Sequence, residues 1–165
     1  MVATRWLCGA LLAAATGCLV PLPLSGDNPV DGGRWLMITD AIPPFGTQLA
    51  IRQDVDFDYT LDLRTDSAAV AGRLYVHVNG DCCELEVTNP QKVHFLQEAV
   101  MITAVEPGRF RMSWMDVRPC YHVPPRAVAY VVPVVASGGF VGGPTEKLEA
   151  VGLLDKHHYW SVHCP

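Results

Sequence analysis

The sequence predicts an all-β, antiparallel sandwich, and three observations carry that prediction. Val55 to Arg64 and Arg109 to Val117 alternate apolar with polar residues, the period-2 pattern of strands with one buried face. Asn79-Gly80 and Pro107-Gly108 are chain-reversal signals beside such runs. Ala127 to Ala136, Ala-Val-Ala-Tyr-Val-Val-Pro-Val-Val-Ala, is almost wholly apolar, as a strand buried on both sides would be.

The chain opens on Arg5-Trp-Leu-Cys-Gly-Ala-Leu-Leu-Ala-Ala-Ala-Thr-Gly-Cys18, one basic residue followed by an apolar run and small residues, the anatomy of a secretory signal over residues 1–17. Trp6 to Gly17 falls short of the ~20 residues a bilayer span needs, and Pro21 and Pro23 stop any extension. The tetrapeptide Ala15-Thr16-Gly17-Cys18 resembles the lipobox of bacterial lipoproteins, with Ala15 where that family prefers Leu. The resemblance implies acylation of Cys18 and a mature protein anchored by lipid in the bacterial cell envelope. Leu19, in place of the Asp associated with inner-membrane retention, points within that resemblance to the outer membrane. An ordinary cut near Ala15 would instead leave Cys18 as an odd thiol. Residues 18–33, with Pro21, Pro23, Pro29 and no apolar periodicity, read as an extended tether. A sandwich domain is then expected over 34–136 and a C-terminal extension over 137–165.

Charge narrows the partners. Of 12 Lys+Arg, Arg5 leaves with the signal, so 11 face 17 Asp+Glu and no basic footprint for nucleic acid remains. Membrane attachment must come from acyl chains, because no polybasic stretch is present to bind acidic headgroups.

The strands follow in order. Arg34 to Thr39 is a short apolar strand ended by Pro43-Pro44 and Gly46. In Val55 to Arg64, Val55, Phe57, Tyr59, Leu61 and Leu63 share the inner face. Arg73 to Val78, Asn79-Gly80 and Asp81 to Val87 read as a type I′ hairpin that sets Arg73 against Glu86, Leu74 against Leu85 and Val76 against Cys83. In that register Cys83 points inward and Cys82 outward beside His77. Val93 to Leu96 and Ala99 to Val105 are further strands. Pro133 places the apolar strand 127–136 at a sheet edge or a bulge. Thr145 would cap a short helix through Val151, and Lys156 to Cys164 returns to strand character.

Glu106-Pro-Gly-Arg-Phe-Arg-Met-Ser-Trp-Met-Asp-Val117 resembles the PGxYxVxVxV segment of PKD-type and other immunoglobulin-like sandwiches, with Phe110 in place of the usual Tyr. The resemblance implies an immunoglobulin-like fold over 34–136. No cysteine follows two residues after Phe110, so the inter-sheet disulfide of antibody domains is not expected.

Six cysteines, less Cys8 in the signal and Cys18 under lipid, leave Cys82, Cys83, Cys120 and Cys164, an even set that reads as two disulfides in an oxidising compartment. Bridging the adjacent Cys82 and Cys83 would strain the backbone. Hairpin parity then selects Cys83–Cys164 inside the sandwich and Cys82–Cys120 near its surface.

Each candidate reactive group has a structural counterpart. His157, His158, His163 and Cys164 could ligate zinc or copper, yet strand parity separates them and no recognised ligand spacing is present. His77 beside Cys82 would be a nucleophile pair only if Cys82 stayed reduced. Asp54, Asp56, Asp58 and Asp62 lack the glycine and terminal Glu of a calcium loop. Gly138 to Thr145 has the glycines of a phosphate loop but no Lys-Ser/Thr ending. The expectation is a non-enzymatic, cofactor-free envelope module that binds other envelope proteins or glycans. The alternative is an extracytoplasmic enzyme or metal carrier using His157, His158 and His163, which zinc and copper uptake would distinguish.

Overall fold

The structure, a computed structural model, describes residues 35–78 and 85–165. The signal, Cys18, the tether, the Asn79-Gly80 turn, Cys82 and Cys83 lie outside the described residues. Its strands are β1 (Leu36–Ile42), β2 (Gln48–Ala50), β3 (Phe57–Thr65), β4 (Val70–Val78), β5 (Val93–Glu98), β6 (Met101–Glu106), β7 (Arg109–Val117), β8 (Ala127–Ser137), β9 (Phe140–Val141), β10 (Glu149–Ala150), β11 (Leu154–Asp155) and β12 (Trp160–Cys164). A 3-10 turn at Pro119–His122 joins β7 to β8.

One sheet runs β1-β3-β7-β6 and the other β2-β12-β8-β4-β5, with β11 also on β8. All pairings are antiparallel except β12 with β2, which is parallel. The arrangement is an immunoglobulin-like sandwich: β1, β3, β7 and β6 stand as strands A, B, E and D, and β4, β8 and β12 stand as C, F and G, with β5 added beside β4. The first strand is divided between the sheets. β1 belongs to one and β2 to the other, and the cis Ile42-Pro43 peptide lies in the crossing.

Alternation produces the core. Ile38, Leu61, Leu63, Met112 and Trp114 from one sheet meet Leu74, Val76, Ala129, Val131 and Val162 from the other. Tyr59 and Phe45 pack their rings on Trp160, with centroids 4.6 and 4.7 Å away. Gly72 lets the sheets come this close, since a Cβ there would stand 2.0 Å from Met112 Sδ and 2.7 Å from Trp114 Cζ2.

Several expectations are corrected. Val55 is exposed and precedes β3 rather than joining its inner face. The hairpin partner of β4 is not 81–87: both edges of β4 are taken, by β8 and by β5. Arg73 therefore lies opposite Glu98 and Leu74 opposite Gln97. β5 wins the edge because Phe95 packs edge-on against Tyr75 at 5.6 Å and Glu98 neutralises a guanidinium that has left water. β8 is central, not an edge. Pro133 sits opposite Leu74 on one side, and on the other falls between β12, which reaches Val131, and β11, which ends opposite Val135, so no ladder bond is missing there. No helix follows Thr145; Glu149–Ala150 pairs with Phe140–Val141, after a turn in which Glu146 accepts the Gly143 N–H at 2.9 Å. The expected C-terminal extension supplies β12, an inner strand of the second sheet, because Trp160, Val162 and Cys164 all face the core.

The disulfide expectation is also corrected. Cys120 is bonded to Cys164, with the Cα atoms 5.6 Å apart, which excludes both Cys83–Cys164 and Cys82–Cys120. Cys164 does point inward as its parity requires, but its partner comes from the 3-10 turn beneath the end of β12. The register expected for Cys83 depends on an edge of β4 that β5 occupies instead. Strand F, where antibody domains carry their second cysteine, is β8 rather than the Pro-Gly strand β7, and aromatic packing fills the space between the sheets instead.

Candidate functional site

The histidine-rich tail is dispersed by the fold. His158 Nδ1 lies 3.2 Å from Asp155 Oδ1 and its ring packs on Phe45, while the His157 backbone N–H donates to the same carboxylate oxygen at 3.0 Å. His163 lies on β12 between Val128 and Ala50. Among the described residues no three His, Cys, Asp or Glu side chains converge as metal ligands. Burial would raise the Asp155 pKa, but the bond to His158 and the neighbouring positive charge outweigh it, leaving the carboxyl below its usual range.

The acidic strand is likewise structural. Arg111 holds Asp62 through two bonds of 2.7 Å, Arg118 holds Asp56 at 2.5 Å, and Arg52 holds Asp54 at 3.1 Å. Asp58 accepts the Asp116 backbone N–H at 2.9 Å. The hydrogen bonds from Arg111 and Arg118 hold the Asp62 and Asp56 carboxyls below the ordinary range. A calcium ion would have to displace these partners one by one.

The outer face of the second sheet is covered by the chain itself. Arg73, buried at the foot of this cover, donates from Nε to Glu98 at 2.8 Å, from Nη1 to the Gly143 carbonyl at 3.1 Å and from Nη2 to the Gly142 carbonyl at 2.9 Å. Its guanidinium carbon stands 4.2 Å from the centroid of the Phe140 ring. Tyr75 donates its hydroxyl to the Pro144 carbonyl at 2.8 Å, and burial pushes its pKa up to about 12. Phe140, Leu148 and Leu154 then pack on Tyr75, Val93 and Val134 as a second, smaller core. Arg73→Met keeps the stem but strands two carbonyls. It should cost about 2 kcal/mol in urea unfolding and raise hydrogen exchange across residues 139–151; a loss below about 0.5 kcal/mol would show that the clamp is not held by this side chain.

Two surface features had no place in the sequence expectations. His94 stacks on His122 with centroids 4.8 Å apart, and exposed Tyr121 meets His122 edge-on. Burial first, and the His94 charge second, hold the His122 pKa below its ordinary value. Strand β6 is exposed along its whole length, although it is mostly apolar. The signal for it was present in the sequence, where Val100-Met-Ile-Thr-Ala-Val105 is apolar at both parities and so has no polar face to give water.

No protein-family model matches the chain, and comparison with curated proteins finds no match. Among solved structures, the crystal structure of AggA, the major subunit of aggregative adherence fimbriae type I from Escherichia coli, is similar over 80% of this chain and 94% of that one, with 7% identity and a TM-score of 0.30. Strand order and register, rather than this likeness, establish the sandwich described above.

Proposed function

We propose that the chain is exported, anchored by lipid on Cys18 in the bacterial envelope at the outer membrane, and uses its sandwich as a non-catalytic binding or structural module toward other envelope proteins or glycans. The lipobox-like Ala15-Thr16-Gly17-Cys18 carries this reading. Support comes from the buried Cys120–Cys164 bond, since structural disulfides persist in oxidising compartments and are rare in the cytosol. The non-catalytic part rests on the polar groups themselves: Asp56, Asp62, Arg73, Asp155 and His158 are each engaged in holding strands or loops together. Durable anchoring takes more than one acyl chain, because a single chain gives only marginal membrane affinity.

Cys18→Ala should release the protein into the soluble fraction and remove acyl mass from its N-terminal peptide. A variant that stays in the membrane with the same N-terminal mass as the parent would end the anchor reading.

A further inference from the structure

We propose that β6 is a self-association edge that pairs antiparallel with β6 of a second copy about a two-fold axis passing through Thr103. The inference goes beyond the envelope reading and does not depend on the anchor. Each sheet has two outer strands, and three of these four are protected. β1 carries a register shift between Ile38 and Asp40, β2 has only three residues, and β5 is buried or half-buried at every residue but Glu98. β6 has none of these protections over its central residues, as its irregularity lies between Ala104 and Glu106 at the far end. Met101 is 52%, Ile102 41% and Val105 54% exposed, and Val100 beside them is bare as well. Lys, Arg and Pro, the residues that blunt sheet edges, are missing from it.

The strand is complementary to itself in one register. A two-fold axis normal to the sheet opposes residues of equal parity, so it must pass through a residue rather than between two. Centred on Ile102, it would leave Val105 and Glu106 facing Ala99 and Glu98, which lie outside the strand, Glu98 on β5. Centred on Ala104, it would sit on the strand's own register shift between Ala104 and Glu106 and would set Glu106 against the apolar Ile102. Centred on Thr103, within the regular stretch 101–104, it sets Ile102 against Ala104 and Thr103 against Thr103, with Met101 beside Val105 where the register shift begins and Glu106 beside Val100 just before the strand. Apolar side chains meet apolar ones, the central pair is Thr–Thr, and the strand's single charges fall at opposite ends. The outcome is one continuous sheet, β1-β3-β7-β6 extended by its own copy. An edge contact of this kind buries less than the ~1,200 Å² of a stable interface, so the dimer belongs to the weak, reversible class.

The test is sedimentation of the full-length chain in density-matched detergent, with three proteins. The parent should show a concentration-dependent dimer. Thr103→Lys and Thr103→Glu each place like charges opposite one another and should each weaken dimerisation about tenfold. Their equimolar mixture should restore it, because only the mixed pair opposes unlike charges. Unchanged circular dichroism shows that the variants fold, since Thr103 is exposed. A parent that stays monomeric, variants that dimerise as strongly as the parent, or a mixture no tighter than either variant would each overturn the proposal.

Discussion

Trp160→Ala should lower the unfolding free energy by about 3–5 kcal/mol, the range for removing a fully buried large aromatic. Trp160 has no exposed surface, touches the rings of Phe45 and Tyr59, and donates its indole N–H to the Pro43 carbonyl at 2.5 Å. The substitution therefore removes packing on both sheets and the bond that holds the crossing between β1 and β2. Trp160→Phe separates the two effects: it keeps most of the volume and should recover more than half of the loss. Urea unfolding of both variants checks this, and a Trp160→Ala loss under about 1.5 kcal/mol would mean that the aromatic cluster is not a keystone of the fold.

Removing the Cys120–Cys164 bond should cost nearly as much. The two residues are 44 apart in sequence, and chain-entropy arguments assign a loop of that length about 4 kcal/mol. Cys120→Ala with Cys164→Ala is the suitable variant, because both sites are buried and a serine hydroxyl would add a desolvation cost of its own. An unfolding midpoint about 10 °C lower is expected, and thiol labelling of unfolded parent protein should find neither Cys120 nor Cys164 reactive. Either cysteine recovered in a disulfide to Cys82 or Cys83 would contradict the fold around the 3-10 turn.

Strand identity was legible in the sequence where one face is buried and the other wet. The alternation of Arg109 to Val117 coincides with β7, and the parity of Cys164 with Trp160 and Val162 coincides with its inward side chain. Neighbour relations were not legible in the same way. Asn79-Gly80 signals a local reversal, but which strand lies beside β4 depends on competing cross-strand pairs, and Phe95 and Glu98 lie far from the turn that suggested Asp81 to Val87. The expected cysteine pairing depends on that same neighbour relation. Periodicity sets Arg73 on a water-facing side opposite Glu86, because it carries no information that the segment after β8 folds back over that face. Parity alone does not describe the histidines: His163 lies on β12, whereas His157 and His158 precede that strand and are both held at Asp155.

The parallel contact of β2 with β12 has a consequence in time. Leu49 meets Val162, so almost the whole domain must be in place before that edge closes, whereas β6 and β7 meet through the two-residue Pro107-Gly108 turn. Loop closure makes the first pairing slow and the second fast. The apolar edge of β6 therefore belongs to a pairing that can form locally while the second sheet is still open, so high local density of nascent chains favours contact through that strand before folding is complete.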